Sequence, residues 1–597
     1  MVLNNLDWTI ILLFFVVSLT IGVIAARKAG KNTAEFFLSG RSMPWWLLGV
    51  SMVATTFSCD TPNLVTDIVR QNGVSGNWAW WAFLLTGMLT VFIYARMWQR
   101  SKVLTDLEFY ELRYSGNMAA FLRGFRAIYL GVLFNIMVMA TVSLAMIKIG
   151  AVMLQWSAVK TLLIVSTITV IYSAIGGLRG ILLTDFFQFI LAMVGSVGGA
   201  YILLQLPQVG GLSNLLSHPN VISRIDLFPD FSNTDALWTL LIMPLAVQWW
   251  SVWYPGAEPG GGGYIAQRML SAKSEKDAIG ATLFFNAAHY ALRPWPWIIV
   301  GLASLVVFPD IASLRTAFPG VDPAIIQHDF AYPAMLSFLP SGFLGLVVAG
   351  LIAAYMSTIS THLNWGSSYV VNDFYRRFVK TDAGETHYVS VGRITNVLLM
   401  VVTCIFALLL SNALQAFNIL LQIGAGTGLI FILRWFWWRI NAYSEITAMV
   451  VSFAVALYFN FVHSYTGLPE LSASMQMLSG VAITTVAWVI VTFLTKPADM
   501  KTLAKFHKLV QPGGPGWEVV REASRNLNLP EAQELQSGWR VPQGILGMVM
   551  GCLGVYSLLF ATGYWIYGNT TPAIAMTVLA ITMMVGLLKL WPKLSSE

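Results

Sequence analysis

Charge is what this chain has least of: only 11% of its 597 residues are Asp, Glu, Lys or Arg. Soluble globular domains carry about a quarter. With 57% hydrophobic residues and a mean hydropathy of +0.68, a soluble globule is excluded, and the chain reads as an all-α polytopic membrane protein. Cysteine is nearly absent too. Cys59, Cys404 and Cys552 lie apart in apolar runs and offer neither a disulfide framework nor metal-ligand spacing. Acids are the scarcer charge, leaving a net +7, yet the bases cluster at the ends of apolar runs, where membrane topology explains them. No nucleic-acid partner is expected. Also missing are a nucleophile elbow, a metal motif and a carboxylate pair with a base at workable spacing, so no enzyme is expected.

What is there is a series of apolar runs of bilayer-spanning length. About fifteen spans are expected: 8–26, 44–67, 76–98, 123–153, 158–178, 182–206, 236–270, 280–308, 340–372, 388–411, 414–438, 443–463, 474–495, 543–567 and 571–592. Arg27, Lys28 and Lys31 follow the first span with no charge cluster before it, which places the N-terminus outside and, after fifteen crossings, the C-terminus in the cytoplasm. Alternate loops carry Arg96/Arg100/Lys102/Arg113, Arg268/Lys273/Lys276, Arg376/Arg377/Lys380 and Lys496/Lys501/Lys505/Lys508, as the positive-inside rule requires. Residues 1–43 then form an N-terminal flanking span and loop, 44–206 and 236–438 two five-helix units, and 443–495 two additional spans. The polar stretch 496–541 reads as a cytoplasmic linker with one surface helix, and 543–597 holds two C-terminal spans.

Two of these spans are interrupted. Pro255-Gly256-Ala257-Glu258-Pro259 and Gly260 to Gly263 stand inside 236–270; at about 3 kcal/mol per Pro and about 1 per Gly, a continuous helix there is disfavoured by roughly 11 kcal/mol. Unpaired backbone at membrane depth is tolerated only where it is buried in protein or lines a watery cavity. A matching interruption, Ser58-Cys59-Asp60-Thr61-Pro62-Asn63, lies inside 44–67. These broken spans open two successive groups of five, so the second group crosses in the opposite sense. Paired breaks in an inverted repeat point to a secondary transporter's midplane site. A Pro kink and close glycine packing are the structural alternatives.

In the span 340–372, Ala354, Ser357, Thr358 and Thr361 are spaced i, i+3, i+4 and i+7 and share one helix face, with Ser360 beside it. Hydroxyls together with carbonyls freed by a broken helix suit sodium; back-bonding to carbonyls one turn earlier is the alternative. Asp185, early in the span 182–206, needs a partner at membrane depth. A bound cation, Arg179 or Lys273 would each supply one.

At these residues the sequence resembles the sodium:solute symporter family over roughly residues 8–440. The marks are Phe36-Phe37-Leu38-Ser39-Gly40-Arg41 before a Pro-Trp-Trp start, Gly176-Gly177-Leu178-Arg179 leading to Thr184-Asp185 and Gln188, Tyr264-Ile265-Ala266-Gln267-Arg268, and Ala354-x-x-Ser357-Thr358 running to Asn372-Asp373-Phe374-Tyr375. The resemblance implies a leucine-transporter-type fold with 5+5 inverted helices and flanking helices. It also implies sodium-coupled symport, by alternating access, of a sugar, sugar acid or similar polar metabolite across the plasma membrane; a monomer is expected to suffice. A proton-coupled transporter of the same fold and a transporter-like membrane sensor are the alternatives. One or two sodium ions are implied. The usual site takes the carbonyls of Ala54, Phe57 and Ala354 with the hydroxyls of Ser357 and Thr358; a second takes Asp185, Ser360 and Thr361.

The solute should lie between the breaks. Thr56, Ser58, Asp60 and Thr61 from the first, and Trp253, Tyr254 and Glu258 from the second, are the candidates, joined by Asn77, Trp78, Asn418 and Gln422. Sugar-transporting members carry a Lys that falls here at Tyr290, with Arg293 one turn away, and a Glu that falls at Trp78 or Ala79, so glucose-like recognition is not implied. Tyr290 and Arg293 join the solute candidates: Arg293 could bind a substrate carboxylate or neutralise Glu258 or Asp60, the second being favoured since buried membrane charges pair. His289 and His362, with no companion at metal-site spacing, are read as packed side chains.

Overall fold

The computed structural model describes residues 3–29, 31–252, 258–410, 424, 426–527, 529–530 and 540–595. Among the described residues eleven helices are long and apolar enough to cross a membrane. The interrupted spans and the run 158–174 appear as shorter apolar pieces, and most of the expected span 414–438 lies outside the described residues. No strand forms among the described residues beyond one isolated bridge between Met43 and Ala272.

The core is polar at its centre and apolar around it. The helix Phe343–Val379, here the hydroxyl helix, is buried from Leu344 to Asp373 apart from two half-buried residues, and exposed in its last turns. It packs most extensively against the helix Ala158–Leu204, here the Asp185 helix. The latter turns at Gly177, whose φ of 55° and ψ of −166° place it in a region open to glycine. The two spans expected at 158–178 and 182–206 thus meet at a single non-helical residue rather than at a loop. At the periphery, Val450, Ile483, Val486, Ile490, Val578 and Ile581 are exposed on helices of high hydropathy, the pattern of a surface solvated by lipid. Trp45 and Trp46 are exposed as well, in keeping with an interfacial position.

Both expected breaks are present. The first half-helix, Trp45–Phe57, ends where Ser58 takes φ 19° and ψ 148°, and the chain re-enters helix at Thr61–Asn72 with Pro62 in its first turn, a position where proline's missing N–H costs nothing. At the second break Glu258 to Gly262 are non-helical and the second half-helix, Gly263–Ser271, begins at the last glycine. Residues 253–257 lie outside the described set. The half-helices are tied at their far ends: Met43 N–H donates to Ser271 O at 3.2 Å and Lys273 N–H to Met43 O at 3.2 Å.

The stretch 496–541 is more than a linker with one surface helix. Helices Met500–Val510 and Glu518–Asn526 flank Trp517, and Leu503, Phe506, Val510, Trp517 and Val520 are buried. Apolar side chains on one face of each short helix account for the docking.

Candidate sodium and solute sites

Ending the first half-helix at Phe57 strips its last carbonyls of in-helix donors. Two are met by hydroxyls: Thr358 Oγ1 donates to Thr55 O at 2.7 Å and to Ala354 O at 3.1 Å, and Thr61 Oγ1 donates to Thr56 O at 3.3 Å. Among the described residues no side chain donates to the carbonyls of Ala54 or Phe57, which stand on the same buried helix end. The hydroxyl helix is thereby seated against the break, with Ala354, Ser357 and Thr358 facing it. The oxygens are hard, neutral and preorganised, which suits a hard monovalent cation.

Asp185 is fully buried beside this set. Its Oδ1 accepts from Ser357 Oγ at 2.6 Å and its Oδ2 from Ser51 Oγ at 2.5 Å. The cation facing it is Arg268, with Nη2 4.0 Å from Oδ2, in place of the expected Arg179 or Lys273. Arg268 also donates to Thr361 Oγ1 at 2.8 Å, to Ser51 Oγ at 3.2 Å and to Gln267 Oε1 at 2.8 Å. Thr361 Oγ1 lies 3.1 Å from Thr55 Oγ1, and Ser360 Oγ donates back to Ser357 O at 3.1 Å. Four elements therefore converge here: the first half-helix, the Asp185 helix, the hydroxyl helix and the second half-helix. Arg268, expected among the bases of a loop, is instead fully buried on the second half-helix, and neither it nor Ser51 is among the residues expected at this site.

On the other side of the first break, Arg293 Nη1 donates to Thr56 Oγ1 at 3.3 Å and to Val53 O at 3.4 Å, and its Nη2 lies 3.2 Å from His289 Nε2. A guanidinium only donates, so Nε2 accepts and the ring proton sits on Nδ1, which points to Thr56 Oγ1 at 3.2 Å. Tyr290 stacks on Trp80, with centroids 5.8 Å apart at 23°. His289 and His362 are both hydrogen-bonded core rings, His362 through Asn135 at 2.6 Å.

Within the break, and among the described residues, both amide atoms of Asn63 are buried without a hydrogen-bond partner, Ser58 and Asp60 stand beside each other, and Asp60 does not cap the helix that it begins. Asn77 is engaged by Val74 O and the Trp80 indole, while Trp78 donates to Leu227 O at 3.0 Å and packs on Tyr556 and Phe560. Trp253, Tyr254, Asn418 and Gln422 lie outside the described residues.

Glu258 is not neutralised by Arg293. Its carboxylate pairs with Arg126 and with Arg434, the latter at 3.4 Å. Sequence spacing gave no sign of this, because the two arginines come from remote helix ends. The turn after it needs glycine: Gly260 and Gly261 have φ of +88° and +86°. Trp98 Nε1 donates to Gly260 O at 2.7 Å, and Asp106 Oδ2 accepts the Gly263 N–H at 2.9 Å, capping the second half-helix from outside.

The chain is 26% identical over 480 residues to the sodium/glucose cotransporter of Vibrio parahaemolyticus, spanning 77% of this chain and 86% of that protein. It is 25% identical over 496 residues to the sodium/mannose cotransporter of Bos taurus, spanning 77% and 80%. The solved structure of a sodium-coupled sialic acid symporter, in a substrate-bound outward-open state, superposes with a TM-score of 0.66 at 21% identity, covering 83% of this chain and 99% of that one, so the two share a fold. Residues 36–452 match the sodium:solute symporter family, and with most of its length inside that match the chain belongs to the family.

Proposed function

We propose that this protein is a sodium-coupled symporter importing a small polar organic solute by alternating access, on a 5+5 inverted-repeat architecture whose repeats begin at the two breaks. The observation that carries the reading is Thr358 Oγ1 reaching Thr55 O across the end of the first half-helix. Sodium held by the carbonyls of Ala54, Phe57 and Ala354 and the hydroxyls of Ser357 and Thr358 would bridge two elements that separate when the site opens inward. A cation there favours the state that also receives solute, and that difference is what couples the two gradients.

One sodium per cycle is the reading the geometry favours. In the second set, Asp185 already faces Arg268, and Thr361 already accepts from it; a second cation would have to displace or repel a guanidinium. We infer that the solute lies at the first break, where Asn63 holds polar atoms unmatched among the described residues, next to Ser58 and Asp60, and Thr56, Thr61, Tyr290 and Arg293 stand alongside. Hydroxyl-rich solutes satisfy donors and acceptors of this kind, and sugars, polyols and sugar acids are the candidates. The relatives named for glucose and mannose support that class.

The test is purified protein in liposomes under an imposed inward sodium gradient, screened with sugars, sugar acids, polyols and amino acids. Sodium-dependent accumulation of one of them is expected; accumulation driven by a pH gradient without sodium would overturn the ion assignment.

A further inference from the structure

The docked segment 497–527 reaches the second break by two routes. Trp517, fully buried, lies against Arg113, whose guanidinium carbon stands 4.8 Å from the Trp517 ring centroid and 5.5 Å from that of Phe506. Arg113 has no carboxylate within 4.0 Å among the described residues. Its Nε donates to Arg434 O at 3.1 Å and its Nη2 to Trp437 O at 3.1 Å. Arg434 in turn reaches Glu445 Oε2 and Glu258 Oε2, each at 3.4 Å, and Tyr110 OH at 3.1 Å; Arg126 completes the cluster from the base of the helix Asn117–Leu154. The second route is shorter. Trp517 Nε1 donates to Trp435 O at 2.9 Å, the Trp435 ring meets Trp98 edge-on at 4.8 Å, and Trp98 Nε1 holds Gly260 O. Gly516 is also pressed against the turn at residues 434–438: Trp438 N–H donates to Gly516 O at 3.2 Å, and a Cβ at Gly516 would fall 2.0 Å from Phe436 O.

Glu258 therefore clasps the second break to two helices outside it, through buried charges that are left uncompensated if the clasp loses a partner. Two aromatic side chains of the 497–527 segment cover the arginine behind that clasp.

We propose that this segment is part of the inner gate, and that Phe506 and Trp517 are positioning residues that hold Arg113, and through it the Arg434–Glu258–Arg126 clasp, in the state that is closed to the cytoplasm. The proposal rests on the symport reading, with the clasp at the cytoplasmic end. Undocking the segment releases Arg434, frees Glu258 and populates the inward-open state. Sodium binds the outward-facing state, so its apparent affinity falls by the fraction of molecules withdrawn from that state.

The experiment titrates sodium on the purified full-length protein by intrinsic fluorescence, so that it requires no knowledge of the solute. Trp517→Ala is expected to raise the half-saturating sodium concentration about fivefold, with Trp517→Phe returning within twofold of wild type. Glu258→Gln is expected to raise it similarly, and the Trp517→Ala/Glu258→Gln pair no further. Phe506→Leu, a milder loss of cover, carries the same direction if Trp517→Ala does not reach the membrane. An unchanged sodium midpoint in folded Trp517→Ala and Phe506→Leu, or full additivity with Glu258→Gln, would overturn the proposal. A wild-type protein without any sodium response would instead remove the symport reading itself.

Discussion

Thr358, bonded to Thr55 O, and Asp185, bonded to the neighbouring Ser357, are predicted to fail differently. Valine at 358 keeps the shape and deletes the hydroxyl that meets Thr55 O and Ala354 O, so Thr55 O loses that donor and the proposed sodium site loses one ligand. Thr358→Val is expected to raise the sodium midpoint for uptake tenfold or more while thermal stability changes little, and Thr358→Ser should restore most of the affinity. At Asp185 the loss is of a buried counter-charge. Removing one partner of such a pair costs about 3–5 kcal/mol, because Arg268 is left facing only the neutral oxygens of Ser51, Thr361 and Gln267. Asp185→Asn should therefore lower the melting temperature in detergent markedly, and paired removal in Asp185→Asn/Arg268→Gln should recover much of it. No recovery in the double variant would mean that Asp185 answers to something other than Arg268. The hydroxyl face was legible because a helical spacing of four hydroxyls in five residues survives any packing; Arg268 was not, because which of several nearby cations approaches a carboxylate is decided by tertiary contact.

Between residues and whole molecule stand the breaks and the docked segment. Composition alone locates both breaks, since the intrinsic cost of proline and glycine in a helix acts before any tertiary context. What composition leaves out is their anchoring: Asp106 and Trp98 fix the second break from elements far off in sequence. At Gly260 and Gly261 alanine meets left-handed backbone, which costs roughly 1–2 kcal/mol per residue, and the added Cβ at Gly261 would lie 2.7 Å from Met269. The Gly260→Ala/Gly261→Ala protein should insert in the membrane yet lose transport; retained uptake would show that the turn is a mere connector. The segment 497–527 read as a linker because its charge and Pro-Gly content outweigh a few spaced apolar residues. Its docking should be acid-labile. Burial, with the nearby Arg521 charge second, pushes His507 down to about 4 from its usual value, and its ring packs on Trp517 at 5.4 Å. A histidine lowered in the folded state stabilises fully above its unfolded pKa of about 6.5 and loses that contribution as pH falls towards 4. Limited proteolysis of the segment should accordingly quicken between pH 6.5 and 4, and His507→Gln should flatten that dependence.

At the scale of the whole molecule the question is how many charges cross with each solute. Each charge moved through 100 mV is worth about 2.3 kcal/mol, so a second sodium would raise the limiting accumulation of a neutral solute about fiftyfold at that voltage. The family resemblance implies oxygen sets for two ions. The folded chain brings Arg268 into the second set, where it already gives Asp185 a positive neighbour. A cation entering there would do so against a buried guanidinium, in a region where charges are weakly screened. The expected outcome is one charge per neutral solute, measured as the ratio of current to radiolabelled uptake in liposomes at fixed potential, with a sodium Hill coefficient near one. A ratio of two in the wild type, falling to one when Arg268 is left in place and Asp185 is changed to Asn, would mean that the guanidinium moves aside during the cycle and that both sets bind sodium.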